Sequence, residues 1–266
     1  MPLAFIFVLL RENENMSISK KSTLILLSAG ALISGAAQAT LVDRGGGLLY
    51  DDVLNVTWLQ DANYAKTSGY SDTGIFDHIQ ATLWAANLTY FDSVRNVNFD
   101  DWRLPTVSSI GIDWNYSFSS DGSTDWGPNN TNPVNELSYM YFVNLGLKSA
   151  TNPDGTIQPN FGVFGDGTVV GQSNVSSGAV TIENLHASMY WTSSRWYLPE
   201  SGHYYWTFST LSGETNAAYE YASLFAWAVR DGDVAPVASI PEPETYALTL
   251  LGLGLIGALA RGRKSK

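Results

Sequence analysis

The sequence predicts an α+β fold: a single domain with a twisted antiparallel sheet, two short helices and long loops. Three observations lead there. Short apolar–polar alternations recur through the middle of the chain, and only two stretches carry helical spacing. The segments between them are rich in Gly, Asn, Ser and Asp. Between Thr40 and Pro241 lie about 200 residues, enough for one domain with its own core. No internal repeat period is visible.

Taken in order, "LLYDD" (48–52) reads as the first strand. "IFDHIQATLWAANLTY" places Ile75, Ile79, Leu83 and Ala86 at 3/4 spacing and predicts an amphipathic helix near 76–88. In "DWRLPTVSSI" (101–110), Trp102 and Leu104 are set on alternate sides as in a strand. Asp101 can pair with Arg103, and Pro105-Thr106 break the strand and can cap a helical turn. "NELSYMYFVNLG" predicts a second helix, with Asn135 as N-cap, Leu137, Tyr141 and Leu145 on one face, and a stop at Gly146. "MYWTSS" (189–194), "HYYWTFST" (203–210) and "LFAWAVRDGD" (224–233) alternate as strands. In the second, Tyr204, Trp206 and Phe208 oppose Tyr205, Thr207 and Ser209; in the third, Phe225, Trp227 and Val229 share a face. Regions 111–134 and 150–180 read as long loops on the fold.

Charge narrows the partners. Thr40–Pro241 holds seven Lys and Arg against twenty-one Asp and Glu, a net charge of about −14, with all nine tryptophans and thirteen of fourteen tyrosines. Such a surface argues against nucleic acid, anionic membrane and sulfated or uronic polysaccharide. The absence of cysteine removes thiol nucleophiles, zinc–cysteine sites and CxxC redox chemistry.

The termini read as targeting segments. From Met16, "MSISKKSTLILLSAGALISGAAQA" gives Lys20 and Lys21, an apolar run, then Ala37-Gln38-Ala39, the order of a Sec signal peptide with cleavage after Ala39. Residues 1–39 are therefore assigned to the signal peptide, with Met16 as the expected initiator, and 40–233 to the exported domain. Residues 234–244 form a Pro-rich linker. Residues 245–266 form an apolar helix with a basic tail. Its apolar run, Ala247 to Ala260, would be about 21 Å long, against a hydrocarbon core of about 30 Å. Four of the last six residues are basic, as at a cytoplasmic end.

Catalytic signatures are missing, so no enzyme is expected. His78, His186 and His203 lack HExxH or HxH spacing, and no GxSxG elbow occurs. The neighbours Asp51-Asp52 and Asp100-Asp101 would point to opposite faces of a strand. "GLGLIG" (Gly252, Gly254, Gly257) matches a dinucleotide fingerprint by letter only, without the strand or acidic ribose ligand. "DGSTDWGPNN" and "NPDGT" offer oxygen ligands suited to calcium, though without DxDxDG order, and ordinary turns share their composition. No other metal or cofactor is expected. Trp114, Tyr116 and Trp126 in those loops are candidates for stacking on sugar rings, with a core role as the alternative.

Two resemblances extend this reading. "GLLYDDVLNVTWLQDANYA", "DWRLPTVSSI", "MYWTSS" and "FAWAVRDGD", in this order over residues 47–233, resemble the Lcl C-terminal-domain family. The matching positions are Trp58, Asp101, Trp102, Arg103, Leu104, Pro105, Thr106, Trp191 and Arg230. The resemblance implies an extracellular binding or adhesive module. "RLPT" and "WTSS" are also similar to formylglycine-generating-enzyme domains. That likeness implies a C-type-lectin-like fold; the enzyme's copper-binding thiolates have no counterpart here. "PEPETYALTLLGLGLIGALARGRKSK" resembles the PEP-CTERM sorting signal, with Pro241, Glu242 and Pro243 as the recognition element. It implies a Gram-negative host with an exopolysaccharide system, a transient stay in the inner membrane, processing by exosortase, and delivery to the cell surface or biofilm matrix. Together these lead to the expectation of a non-enzymatic, glycan-binding or adhesive exported protein. The alternatives are a structural matrix protein without a specific ligand and, from another class, a polysaccharide hydrolase using acidic residues.

Overall fold

A computed structural model describes residues 41–197 and 202–234. The signal-peptide site at Ala37 and Ala39, the Pro-Glu-Pro motif and the C-terminal apolar helix lie outside the described residues. Among those described, no helix is long and apolar enough to cross a membrane.

The chain begins with β1 (Leu41–Asp43), β2 (Leu48–Asp51) and β3 (Val56–Leu59), then α1 (Tyr64–Thr67), β4 (Ile75–Phe76) and α2 (His78–Ala86). Next come β5 (Tyr90–Asp92), β6 (Val97–Phe99), β7 (Trp102–Arg103) and β8 (Gly127–Pro128). The helix α3 (Glu136–Tyr139) runs on into a π-helical turn, Met140–Asn144. The remainder is sheet: β9 (Gln172–Ser177), β10 (Val180–His186), β11 (Met189–Arg195), β12 (Tyr204–Ser209), β13 (Glu214–Tyr219), β14 (Leu224–Phe225) and β15 (Val229–Asp231).

The α+β class holds, as a mostly sheet structure with a few short helices, but the sheet is not single. Five strands pair in the order β1-β2-β3-β15-β7, and six in the order β4-β14-β11-β12-β13-β8; neither sheet closes into a barrel. The six-stranded sheet is not purely antiparallel either, because Tyr190 of β11 faces Phe225 of β14 in a parallel pair. "LFAWAVRDGD" supplies two strands rather than one. β14 ends in the larger sheet, Ala226–Ala228 cross over, and β15 enters the smaller one.

Successive residues of a strand face opposite ways, and here both sides are covered. Leu49, Trp58, Tyr190, Phe208 and Val229 enter one core cluster with Met140 and Tyr141. Their neighbours Leu48, Leu59, Trp191 and Ala228 enter a second, with Trp84, Trp102 and Leu104. That arrangement corrects the reading of Trp102 and Leu104: two residues apart, they fall on one side and are both buried.

The sequence does not predict the short α1; the first predicted helix is α2, which starts where a capping box sets it. The Asp77 carboxylate accepts from the Gln80 N–H, and the Gln80 side chain accepts from the Asp77 N–H. Its buried face, however, is His78, Ala81, Trp84 and Ala85. Ile79 and Leu83 are 50% and 55% exposed, and Ile75 belongs to β4. Two stripes of this helix have 3/4 spacing, and the one with small residues won. Ala81 and Ala85 let the axis approach the sheet, so Trp84 can stack on Phe76 at 6.0 Å and His78 on Tyr205 at 3.4 Å. The second predicted helix has the expected cap and buried face, but only Glu136–Tyr139 are α-helical before the π-helical turn Met140–Asn144. The Asn135 side chain accepts from the Ser138 N–H, and Leu137, Tyr141 and Leu145 are buried.

Part of the predicted loop 150–180 is a strand. β9 pairs with β10, Val175 opposite Ile182, with a register shift beyond Ile182. The polar run "GQSNVSS" buries only Val175, so periodicity had little to register.

Acid is expected to lower stability in two steps. Burial holds His78 below the ordinary imidazole value of 6.5, and burial together with Lys66 does the same for His186. A folded pKa below the unfolded one means that the unfolded chain takes the proton first. That stability is present above pH 6.5 and is lost as pH falls below it. The Arg230 hydrogen bonds hold Asp101 below the usual 3.8, so its contribution persists above that pH and is lost underneath. Burial alone would push Asp92 up; the Arg95 side chain and the Val94 and Arg95 N–H groups reverse this, with the same sign as for Asp101. Asp51 works the other way, raised by burial. Melting followed by circular dichroism should show a first decline between about pH 7 and 5 and a second below about 4. A His78→Gln, His186→Gln variant should lose the first. A single decline confined to low pH in the unaltered protein would refute the assignment.

Candidate functional site

The motif residues converge on a joint around β15. β15 lies between β3 and β7, with Val229 opposite Trp58 on one side and Arg103 on the other, and Arg230 opposite Trp102. The expected Asp101–Arg103 pair does not form. Asp101 takes both hydrogen bonds of a bidentate contact with Arg230, at 2.7 Å each. Arg103 donates to both oxygens of Glu136 at 2.8 Å and to Asp231. Pro105-Thr106 start no helical turn of their own. The Thr106 N–H donates to Glu136 at 2.7 Å, and its carbonyl accepts from the Glu136 N–H at the start of α3. The Pro105 carbonyl accepts from the Ser193 N–H, and the Ser194 hydroxyl from the Val107 N–H, so "LPTV" is fastened to the strand of Trp191. Trp191 itself is fully buried and donates to the Phe76 carbonyl. Burial opposes the charge on Arg103, but Glu136 and Asp231 more than offset that and keep it protonated. Asp101, held low by Arg230, is a fixed carboxylate and a poor proton donor.

The three candidate stacking residues do come together, on the outer side of β12. Trp114 and Tyr116 lie nearly parallel to the fully buried Trp206, with centroids at 5.2 and 6.0 Å and tilts of 22° and 6°. Trp126 is joined to them through Trp196, at 5.8 Å, which in turn meets Tyr116 at 6.1 Å. Trp114, Tyr116, Trp126 and Trp196 are all half-buried, leaving part of each ring at the surface. The indole N–H groups of Trp126 and Trp206 have no hydrogen-bond partner among the described residues.

The loop that carries these rings is pinned. Asp125, almost fully buried, accepts from the Ile110 and Asn115 N–H groups at 2.7 Å, fixing both sides of Trp114. Gly127 has φ +123°, and a Cβ there would stand 2.2 Å from the Ser119 carbonyl oxygen; only glycine allows that approach. Asn129 donates to the Ser120 and Thr151 carbonyls, tying this loop to the next.

The oxygen-rich loops spend their carboxylates locally. Asp121 accepts from the hydroxyl of Ser119 and the N–H of Ser123, which with the other Ser119 and Ser123 contacts holds it at about 2. Asp154 accepts from the N–H and hydroxyl of Thr156. Among the described residues, no group of three or more His, Asp or Glu side chains stands close enough together to hold a metal ion. A separate cleft of about 170 Å³ is lined by Asp61, Tyr64, Tyr90 and Glu183. Burial and the neighbouring Tyr64, Asp92, Asp61 and Glu183 push Tyr90 up to about 12 there.

Beyond the described residues, residues 239–264 match the PEP-CTERM protein-sorting motif. The chain carries a PEP-CTERM sorting signal. That signal is recognised by exosortase and marks an exported protein, anchored transiently at the membrane before processing. The PEP-CTERM match includes Pro241, Glu242 and Pro243, the element expected from the sequence. No curated protein and no solved structure matches the chain.

Sequence reasoning missed Trp196, Tyr204, Tyr219 and Tyr221 as parts of the aromatic surface, and the buried Trp206 as its support. The one available signal was the exposed start of "HYYWTFST". A strand that begins with two tyrosines beside a histidine puts rings where its pairing partner and solvent meet.

Proposed function

We propose that the exported domain is a non-catalytic glycan-binding module, delivered through its PEP-CTERM signal to the cell surface or the extracellular polysaccharide matrix. The observation that carries the reading is the half-exposed pair Trp114 and Tyr116 backed by the buried Trp206. Aromatic faces cover the apolar C–H side of a sugar, while the surrounding Asn and Ser groups suit its hydroxyls. The likeness of the motif residues to the Lcl C-terminal-domain family supports an adhesive role, and the net charge turns it away from sulfated ligands. Arg230 holds Asp101 below the usual carboxylate range, which suits a structural ion pair better than the proton donor a hydrolase would need. A glycan array probed with the purified protein, with and without calcium, tests the proposal. Saturable binding to uncharged glycans is expected, weakened in Trp114→Ala. Absence of binding to every glycan, the host's own exopolysaccharide included, would leave a structural matrix protein instead.

A further inference from the structure

The ring contacts do not stop at the platform. Trp196 meets Tyr204 at 5.9 Å, Tyr204 meets Tyr219 at 5.5 Å, and Tyr219 meets Tyr221 at 5.2 Å. The sheet builds this line, because Tyr204 of β12 sits directly opposite Tyr219 of β13. A turn after β13 then brings Tyr221 beside it, closed by the Ala222 N–H on the Tyr219 carbonyl. The three tyrosines are 36%, 43% and 61% exposed, so the rings leave the core and continue over the surface. Contiguous exposed aromatic area of this kind marks a recognition surface.

We propose that this line of rings is a track for the interior of a linear, uncharged polysaccharide, engaging several sugar residues at once. The track runs from the Trp114–Tyr116 platform through Trp196 and Tyr204 to Tyr219 and Tyr221. The inference rests on the glycan reading above and adds the ligand's length and charge. A single sugar covers one or two rings, and the line offers more. Among the described residues, the clefts at Asp61 and Tyr64 and at Tyr70 and Ile75, which would suit a chain end or a small molecule, are lined by residues other than those of the track. Each tyrosine offers a stacking face at low cost in side-chain freedom, and the Tyr221 hydroxyl is held by Glu220.

Charge decides against an acidic polymer. Asp113 adjoins Trp114 and Asp121 lies in the same loop, both exposed, whereas Glu220, between Tyr219 and Tyr221, is buried and paired with His203 at 2.9 Å. Arg195, near Trp196, is turned to the Gly202 carbonyl and the Tyr197 ring. A uronate chain would meet like charge at the platform end.

The test is fluorescence titration of the purified full-length protein with oligosaccharides of two, four and six sugars. Suitable ladders are β-1,4-glucan, β-1,3-glucan, α-1,4-glucan and β-1,4-linked N-acetylglucosamine, with a polyuronate as the charged control. In a ladder that binds, affinity should rise by about tenfold from two sugars to six. A Tyr219→Ala, Tyr221→Ala variant should lose that gain, keep its affinity for two sugars within about twofold, and melt as the parent does, since both rings are exposed. Trp114→Ala should weaken every length. Length-independent binding, or preference for the polyuronate, overturns the track while leaving the glycan reading in place. Failure of every ladder overturns both. Self-association by sedimentation velocity, abolished by the double tyrosine variant, would assign the face to a second copy of the chain.

Discussion

Glu136→Ala is expected to cost about 3 kcal/mol and to lower the melting temperature by roughly 6–12 °C. Glu136 is mostly buried at the start of α3, and its two oxygens take three hydrogen bonds, two from Arg103 and one from the Thr106 N–H. Truncation leaves the guanidinium half-buried with Asp231 as its remaining carboxylate, and leaves the Thr106 N–H without its acceptor. Breaking a buried pair from one side is costly because the other charge stays behind. Asp231, on the same arginine, is 77% exposed in its side chain, and an exposed ion pair contributes at most about 1 kcal/mol. Asp231→Ala should therefore shift the transition far less. Chemical denaturation of the two variants measures the difference directly. Equal losses would show that the joint is held by the strand pairing of β7 and β15 rather than by Glu136.

The same residues show what the sequence could and could not reveal. Alternation marked "MYWTSS" and "HYYWTFST" as strands because their apolar residues recur every second position, and the structure places both there. The Asn135 cap and the apolar face behind it were equally local and equally readable. Partners were not. Asp101 and Arg103 stand two residues apart, yet Asp101 pairs with Arg230, 129 positions away, and Arg103 with Glu136 and Asp231, 33 and 128 positions away. Nothing in local spacing distinguishes a neighbour's charge from one delivered by a distant strand. The first helix failed for a related reason. Its sequence offers two stripes, and only the neighbouring sheet, with Phe76, Trp191 and Tyr205, selects the one containing Trp84 and His78. Of the aromatic surface, Trp114, Tyr116 and Trp126 were legible from their place in a polar loop. Their support by Trp206 was not, since it depends on how that loop folds back over β12.

Trp206→Ala is expected to be the most damaging single change to binding and among the worst for stability. The ring is fully buried, and removing a buried tryptophan costs about 3–5 kcal/mol. Its effect on recognition follows from geometry, although Trp206 itself is out of a ligand's reach. Trp114 and Tyr116 owe their shared plane to it, one ring at 5.2 Å and the other at 6.0 Å from the same indole. Without that floor the two rings can fall inward, and a sugar meets a hollow instead of a flat face. Trp114→Ala removes one stacking ring but leaves Trp206 and the Asp125 contacts in place. It should weaken glycan binding by about tenfold and move the melting temperature little. Trp206→Phe separates the two effects: it keeps most of the buried volume, so the domain should fold, but the smaller ring supports one of the two outer rings poorly. Melting curves and glycan titrations on the three variants, taken well below each transition, place them in order. If folded Trp206→Phe binds like the parent while Trp114→Ala does not, the platform depends on the loop alone. If both weaken binding together, recognition is built on a core residue, and the line between core and site runs through the stack.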